Sequence, residues 1–279
     1  MKIKSAIIYL NRTKEQNGKL CAALEKTLDA FGIQHYVADY KSTRGEIKKG
    51  TDLAICLGGD GTLLRAARAA AGKDVKIIGI NSGSLGFLSS SEVTNNFTNI
   101  IETILKGKTQ KQKRMLLDVT LTRNGKTAFK DCALNECVIK TCQARAVTLS
   151  ASYAGEEIKE FFGDGLIIST PTGSTAYNLA AGGPIAYPTL DAFILTPICP
   201  HTLAQRPLVL PADKPLTIEI SPKKPDIALV LSLDGQINFT PNYGDTLTIT
   251  KNKGSVCILY PKEYGFFNTL TAKLKWGSR

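Results

Sequence analysis

The strongest constraint on this chain is the rhythm of its first eighty residues. Apolar runs at 5–10 (SAIIYL), 51–59 (TDLAICLGG) and 76–83 (KIIGINSG) alternate with helical stretches, and the last two end in glycine. NGKLCAALEKTLDAFG brings Leu20, Ala23, Leu24 and Leu28 onto one helical face and stops at Gly32. IQHYVADY alternates like a strand, and TLLRAARAAAG reads as a second helix, capped by Thr62 and stopped at Gly72. Strand, helix, strand repeats demand a parallel sheet covered on both faces, so the expected fold of this part is α/β and doubly wound, in the Rossmann-like manner.

After residue 114 the texture changes to short alternating runs: LLDVTLTRNGKTAF, CALNECVIK, AVTLSASYAGEEIKEF, PLTIEISP, DIALVLSLDGQ and DTLTITKN. Asn124-Gly125 is a hairpin signal between two of them. This half should be mostly antiparallel and layered like a β-sandwich. The expected domains are 1–112 for the α/β part and 113–259 for the β-rich part. The tail 260–279, with Phe267, Leu270 and Leu274 at helical spacing, should return to the first. KGKTQKQKR at 106–114 reads as a solvated linker, or as an electropositive rim near a phosphate site.

Composition narrows the partners. The net charge of +11 suits nucleic acid or small polyanions, but the basic cluster lacks the interleaved aromatics that stack on bases, so no nucleic-acid partner is expected. The apolar run near the N-terminus is too short for a signal peptide and no long apolar stretch occurs, which predicts a cytoplasmic protein without a membrane partner. Seven cysteines without a CxxC pair argue against a disulfide framework or a zinc site; Cys132, Cys137 and Cys142 recur every five residues, which fits no metal spacing.

The chemistry concentrates at CLGGDGTLLRAAR, 56–68, where Asp60 stands among Gly58, Gly59 and Gly61 at a strand end and a helix start. Ligands collect at that edge of a parallel sheet, and bare glycine backbone lets a phosphate reach N–H groups. Asp60 could deprotonate an attacking hydroxyl or hold Mg²⁺ on phosphate oxygens, and both roles point to phosphoryl transfer. The plainer alternative is a tight turn whose Asp stabilises its own backbone. The chain lacks the lysine of a Walker A loop and a GxGxxG turn after its first strand.

A second block, FFGDGLIISTPTGSTAYNLAAGGPI at 161–185, offers hydroxyls, bare backbone, the Tyr177 ring and a helix start near Thr175. Such a loop suits a nucleotide's base and ribose, or else is a hydroxyl-rich turn that caps a helix. Asp164 and Asp234 repeat the device of an acid beside glycine.

GGDGT at 58–62, NSGSLGF at 81–87, Asn135-Glu136, GDGLIISTPTGSTAYNLAAGGPI and LTPICPHTLAQRPLVLP at 195–211 together resemble the bacterial and archaeal NAD kinases, over roughly 53–267. The resemblance implies transfer of the γ-phosphoryl of ATP, or of inorganic polyphosphate in some members, to the 2′-hydroxyl of NAD's adenosine ribose, assisted by Mg²⁺ or another divalent cation. It puts the catalytic base on Asp60, with Gly61 beside it facing the dinucleotide. Phe87 falls on the aromatic lining the NAD site, and Asn135 and Glu136 on the pair contacting adenosine. Thr172, Thr175, Ala176 and Tyr177 fall in the adenine and ribose loop, Asp164 and Cys199 near the nicotinamide end, and Asp234 on an acid near the reacting site. No metal ligand is assigned. A homodimer or homotetramer is implied. GGDGT is also shared with diacylglycerol and sphingosine kinases, so a lipid kinase and a non-catalytic dinucleotide-binding protein are the alternatives.

Overall fold

The computed structural model describes residues 3–11, 16–38, 46–81, 86–89, 91–92, 97–202, 204–221 and 227–277. The chain divides into two compact units, Met1–Lys113 with Val256–Arg279, and Arg114–Ser255. The first unit holds β1 (Ser5–Leu10), α1 (Gln16–Ala30), β2 (Gln34–Val37), β3 (Leu53–Leu57), α2 (Asp60–Ala70), β4 (Lys76–Asn81), β5 (Ser91–Glu92) and α3 (Phe97–Leu105). β6 (Thr109–Arg123) carries the chain into the second unit. There follow β7 (Lys126–Ala133), β8 (Glu136–Thr141), β9 (Val147–Tyr153), β10 (Glu156–Gly163), β11 (Gly165–Ser169), the short α4 (Tyr177–Ala180), β12 (Ala192–Ile198), β13 (Leu208–Pro211), β14 (Leu216–Ile220), β15 (Leu229–Leu233) and β16 (Ile237–Phe239). β17 (Thr246–Pro261) leads back to the first unit, where α5 (Phe266–Leu274) follows.

In the first unit β2, β1, β3 and β4 lie side by side, all parallel, and the end of β17 joins β4 in the same sense. One face of this sheet buries Ala6, Ile8, Ile55, Leu57, Ile78 and Ile80 against Leu24 and Leu28 of α1 and Ile101 and Ile104 of α3. The opposite face receives α2, where a side chain at Gly79 would stand 2.8 Å from Leu63 Cδ1 and Arg65 lies 5.1 Å from the Tyr9 ring. Helices on both faces make the sheet doubly wound, as its sequence rhythm requires. The order β2-β1-β3-β4 puts the reversal of strand order between β1 and β3, and ligands of such sheets bind beside that point at the strands' carboxyl ends. Residues 58–60 follow β3 directly there, and Asn11 N–H donates to Leu57 O at 3.0 Å across the same edge.

Every pairing described within the second unit is antiparallel. One sheet runs β13-β12-β11-β8-β15-β16. The other contains β10-β9-β14-β17 and the β6–β7 hairpin. Alternate residues of both, among them Val119, Leu149 and Leu247 from one and Ile139, Ile168 and Leu231 from the other, form one buried core, the sandwich-like arrangement expected of the alternating runs. Asn124 and Gly125 have φ of 50° and 74° between paired Arg123 and Lys126, as a two-residue hairpin turn needs.

Four local expectations need correction. α2 begins at Asp60, with Gly59 as its N-cap and no side-chain cap, so Thr62 lies inside the helix instead of capping it. Lys106–Gly107 end a helix, but 109–114 open β6: its lysines at 111 and 113 are exposed, Arg114 is buried, and the stretch is a strand, not a linker. In α5 only Leu270 of the three anticipated apolar residues is buried; Phe267 and Leu274 are exposed, and Phe266 and Thr269 share the inward face. AVTLSASYAGEEIKEF is two strands, since Ala154 and Gly155 both take positive φ and turn the chain between paired Tyr153 and Glu156. Ser82 and Gly83 of KIIGINSG, and Asp39 and Tyr40 of IQHYVADY, lie outside the described residues.

Candidate active site

Asp60 is the first residue of α2 and half-buried. Its carboxylate is held from the segment that follows β4: Phe87 N–H donates to Oδ2 at 3.0 Å and the Ser89 hydroxyl donates to Oδ1 at 3.3 Å. Gly86 N–H donates to Ser89 Oγ at 2.9 Å. A side chain at Gly86 would overlap the Asp60 carboxylate and stand 2.6 Å from Ser89 Oγ, so glycine is what lets the two segments meet. Gly58, with φ of 155°, has Thr62 Oγ1 only 2.5 Å from where its Cβ would be. Gly61 is exposed beside Asp60, and Phe87 is half-buried. An oriented carboxylate at a helix N-terminus, with glycine backbone on one side, can take a proton from a hydroxyl while a phosphate lies against the same turn.

In the second unit Leu134 and Asn135 occupy the break between β7 and β8, and Glu136 opens β8. CALNECVIK, read as one run, is interrupted here for a definite reason. The buried Asp234 carboxylate accepts the N–H groups of Leu134 at 3.1 Å, Asn135 at 2.8 Å and Glu136 at 3.3 Å, drawing three successive amides out of a strand ladder. Asp234 itself has φ of 52° in the β15–β16 turn, and its N–H donates to Glu136 O at 3.0 Å. Burial, reinforced by the neighbouring Asp234 carboxylate, pushes the Glu136 carboxyl up to about 8. Glu136 is therefore mostly protonated at neutral pH and can donate a hydrogen bond.

The hydroxyl block divides in two. Thr170 donates to Leu134 O at 2.6 Å, Ser169 to Thr170 O at 2.9 Å, and Ser174 to Ala186 O at 3.2 Å; these hydroxyls build the loop and dock it on the 134–135 backbone. A side chain at Gly173 would overlap Asn135 O. Asn178, fully buried, donates from Nδ2 to Ser174 O and Pro184 O, both at 3.1 Å, and accepts from Thr196 at 2.6 Å. By contrast Asn135 Oδ1, Glu136 Oε2 and Thr172 Oγ1 are buried oxygens without a hydrogen-bond partner. Three such atoms in one neighbourhood are costly unless a polar ligand meets them.

Thr175 closes a 3₁₀ turn over Gly173–Thr175, and the helix starts two residues later at Tyr177, with Ala176 as N-cap. Thr175 and Ala176 are half-buried, and the exposed Tyr177 ring lies 5.9 Å from Lys140 Nζ. Asp164 is half-buried just before β11, its N–H donating to Ile198 O at 2.9 Å, which brings it beside Cys199. Cys199 is exposed with φ of 44°. Asp164 and Thr170 flank the five residues of β11, roughly 20 Å apart along the strand, while Asn135, Glu136, Asp234 and Thr172 gather at its far end.

Among the described residues no cluster of three or more His, Cys, Asp or Glu side chains could hold a metal ion, and no helix is long and apolar enough to cross a membrane. Cys56 and Cys137 are core residues whose thiols burial pushes up.

Fold and residues together define a phosphotransferase that acts on a hydroxyl. Residues 5–109 match the ATP-NAD kinase N-terminal domain and 134–259 the ATP-NAD kinase C-terminal domain. The NAD kinase of Geotalea daltonii is 39% identical, covering 93% of this chain and 91% of its own. That of Citrifermentans bemidjiense is 42% identical, covering 90% and 91%. Two solved structures share the fold: yeast NADH kinase complexed with NADH (TM-score 0.89, 21% identity, 100% of this chain and 89% of that one) and an NAD kinase from Archaeoglobus fulgidus in complex with ATP (TM-score 0.76, 23%, 98% and 99%). The chain belongs to the ATP-NAD kinase family, and its activity is phosphorylation of NAD to NADP using ATP. The lipid-kinase and non-catalytic alternatives fall with that finding.

Proposed function

We propose that Asp60 is the base of this reaction. Its carboxylate takes the proton of the adenosine ribose 2′-hydroxyl as that oxygen attacks the γ-phosphorus of ATP and the bond to ADP breaks. An ordinary carboxylate is a weak base toward a sugar alcohol, but the hydroxyl acidifies as its bond to phosphorus forms, so the proton moves late. The observation that carries the reading is the tethering of both Asp60 oxygens at the strand-reversal edge, beside a backbone kept bare by Gly58, Gly59 and Gly61.

Asn135 Oδ1, Glu136 Oε2 and Thr172 Oγ1 are assigned to the adenosine portion of NAD, because they are neighbouring buried oxygens without a partner that a ribose or adenine would satisfy. Thr175, Ala176 and Tyr177 line the same portion, Gly61 and Phe87 contact the dinucleotide, and Asp164 and Cys199 lie toward nicotinamide. Asp234 shapes the Asn135-Glu136 backbone through its three accepted hydrogen bonds. Mg²⁺ or another divalent cation enters this reading as part of the ATP substrate, ligated by triphosphate oxygens and water. Polyphosphate is a second donor to test, and a cytoplasmic homodimer or homotetramer is the assembly this reading takes.

The test is NADP formation from NAD and MgATP by the purified chain, scored with an NADP-specific dehydrogenase, beside Asp60→Asn. Turnover should fall roughly 10²- to 10⁴-fold in the variant with NAD affinity kept. An Asp60→Asn enzyme that binds NAD normally and turns over like the wild type overturns the assignment.

A further inference from the structure

We infer that Ser89 is a positioning residue for Asp60, a role that rests on reading Asp60 as the base. The hydroxyl is the middle of a relay of neutral donors. Gly86 N–H donates to Ser89 Oγ at 2.9 Å, which leaves the hydroxyl's own hydrogen to point at Asp60 Oδ1, 3.3 Å away. Phe87 N–H fixes the other oxygen at 3.0 Å. With one donor on each oxygen, the carboxylate cannot turn about its last torsion without breaking a bond, and each oxygen keeps a lone pair for an incoming proton.

Three further observations give the contact weight. Ser89 is 1% exposed, so bulk water cannot stand in for its hydroxyl. Asp60 and Ser89 come from α2 and from the segment after β4, 29 residues apart, so the bond joins separate pieces of the strand-reversal edge. Among the described residues no cation forms an ion pair with Asp60, and these uncharged groups are what orient it there. Among the described residues the Phe87 amide and the Ser89 hydroxyl are the groups that hold the carboxylate.

Removing the hydroxyl should leave the base present but misdirected. Ser89→Ala is expected to lower kcat about tenfold and leave KM for NAD and MgATP within twofold. Ser89→Thr, which keeps the hydroxyl, should recover most of kcat; Ser89→Cys, a weaker donor of similar shape, should fall between. In an Asp60→Asn background Ser89→Ala should cost nothing further, since a residue that acts through Asp60 has nothing left to orient. Wild-type kcat in Ser89→Ala, or an equal loss in the Asp60→Asn background, overturns the inference. The two claims separate cleanly: an active Asp60→Asn removes the base, whereas an inactive Asp60→Asn beside an unaltered Ser89→Ala removes the positioning role alone. If Ser89→Ala fails to fold, the Thr and Cys variants decide by whether kcat follows donor strength at constant melting temperature and unchanged KM.

Discussion

Replacing Glu136 with Gln should make the protein more stable, by an amount that grows with pH. The Glu136 carboxyl rises from its ordinary 4.5 to about 8 in the folded chain because it is buried and stands beside Asp234. A carboxyl raised by folding lends its full contribution below the unfolded value and loses it as the pH climbs through the folded one. Below 4.5 both states are protonated and Gln should match Glu closely. Between 4.5 and about 8 the unfolded chain ionises while the folded one resists, at 1.36 kcal/mol per unit, so wild type should lose about 3 kcal/mol by pH 7 and about 5 kcal/mol above pH 8 relative to the variant. Scanning calorimetry of both proteins from pH 4.5 to 9 measures this directly. With about 2–4 °C per kcal/mol for a body of this size, the gap should open to roughly 6–12 °C at neutral pH. A gap that stays constant across the range would show that Glu136 ionises normally in the folded chain and that the reasoning from its burial is wrong.

Gly86→Ala should lower kcat roughly 10²-fold, since the new methyl displaces the Asp60 carboxylate and the buried Ser89 hydroxyl; steady-state kinetics checks it. Thr172→Val should raise the stability of the ligand-free protein by roughly 1 kcal/mol, because it removes a buried hydroxyl without a partner, and should raise KM for NAD several-fold; a variant with both quantities unchanged contradicts the assignment of Thr172. Asp234→Ala leaves three amides without their acceptor and should cost roughly 3 kcal/mol, readable by denaturant titration, together with a tenfold or larger rise in KM for NAD.

The parallel sheet was legible because its strands are buried on both faces and its helices carry one apolar stripe, a pattern local enough to read residue by residue. The position of Asp60 was legible for the same reason, since the end of an apolar run before a helix fixes which edge of the sheet it occupies. What holds Asp60 was not: Ser89 and Gly86 stand nearly thirty residues away, and their meeting is a property of the packed edge between β3 and β4. Likewise Asp234 signals a turn through the glycine after it, but nothing in DGQ tells that its carboxylate gathers amides a hundred residues earlier. The hydroxyl block misled by uniformity. Thr170 and Ser174 point inward to backbone carbonyls while Thr172 lacks a partner, and a run of similar side chains does not reveal which way each one faces. The lysines at 111 and 113 suggested a linker because they are the solvent-facing half of an alternating strand.

The first unit is assembled from two stretches of chain separated by the whole of the second. β4 begins at Lys76, yet its outer parallel neighbour, the last part of β17, starts near Val256. On a ribosome adding 5–20 residues per second, the Lys76–Ile77 part of that edge waits roughly ten to thirty-five seconds for the strand that covers it, whereas Ile80 and Asn81 pair with the early β5. The antiparallel unit, being contiguous, can complete itself during synthesis, whereas the sheet that carries the acid stays open to wrong partners until the segment from Val256 has been made. Synonymous changes that slow elongation across the β-rich region would lengthen that wait without altering a single atom of the finished enzyme.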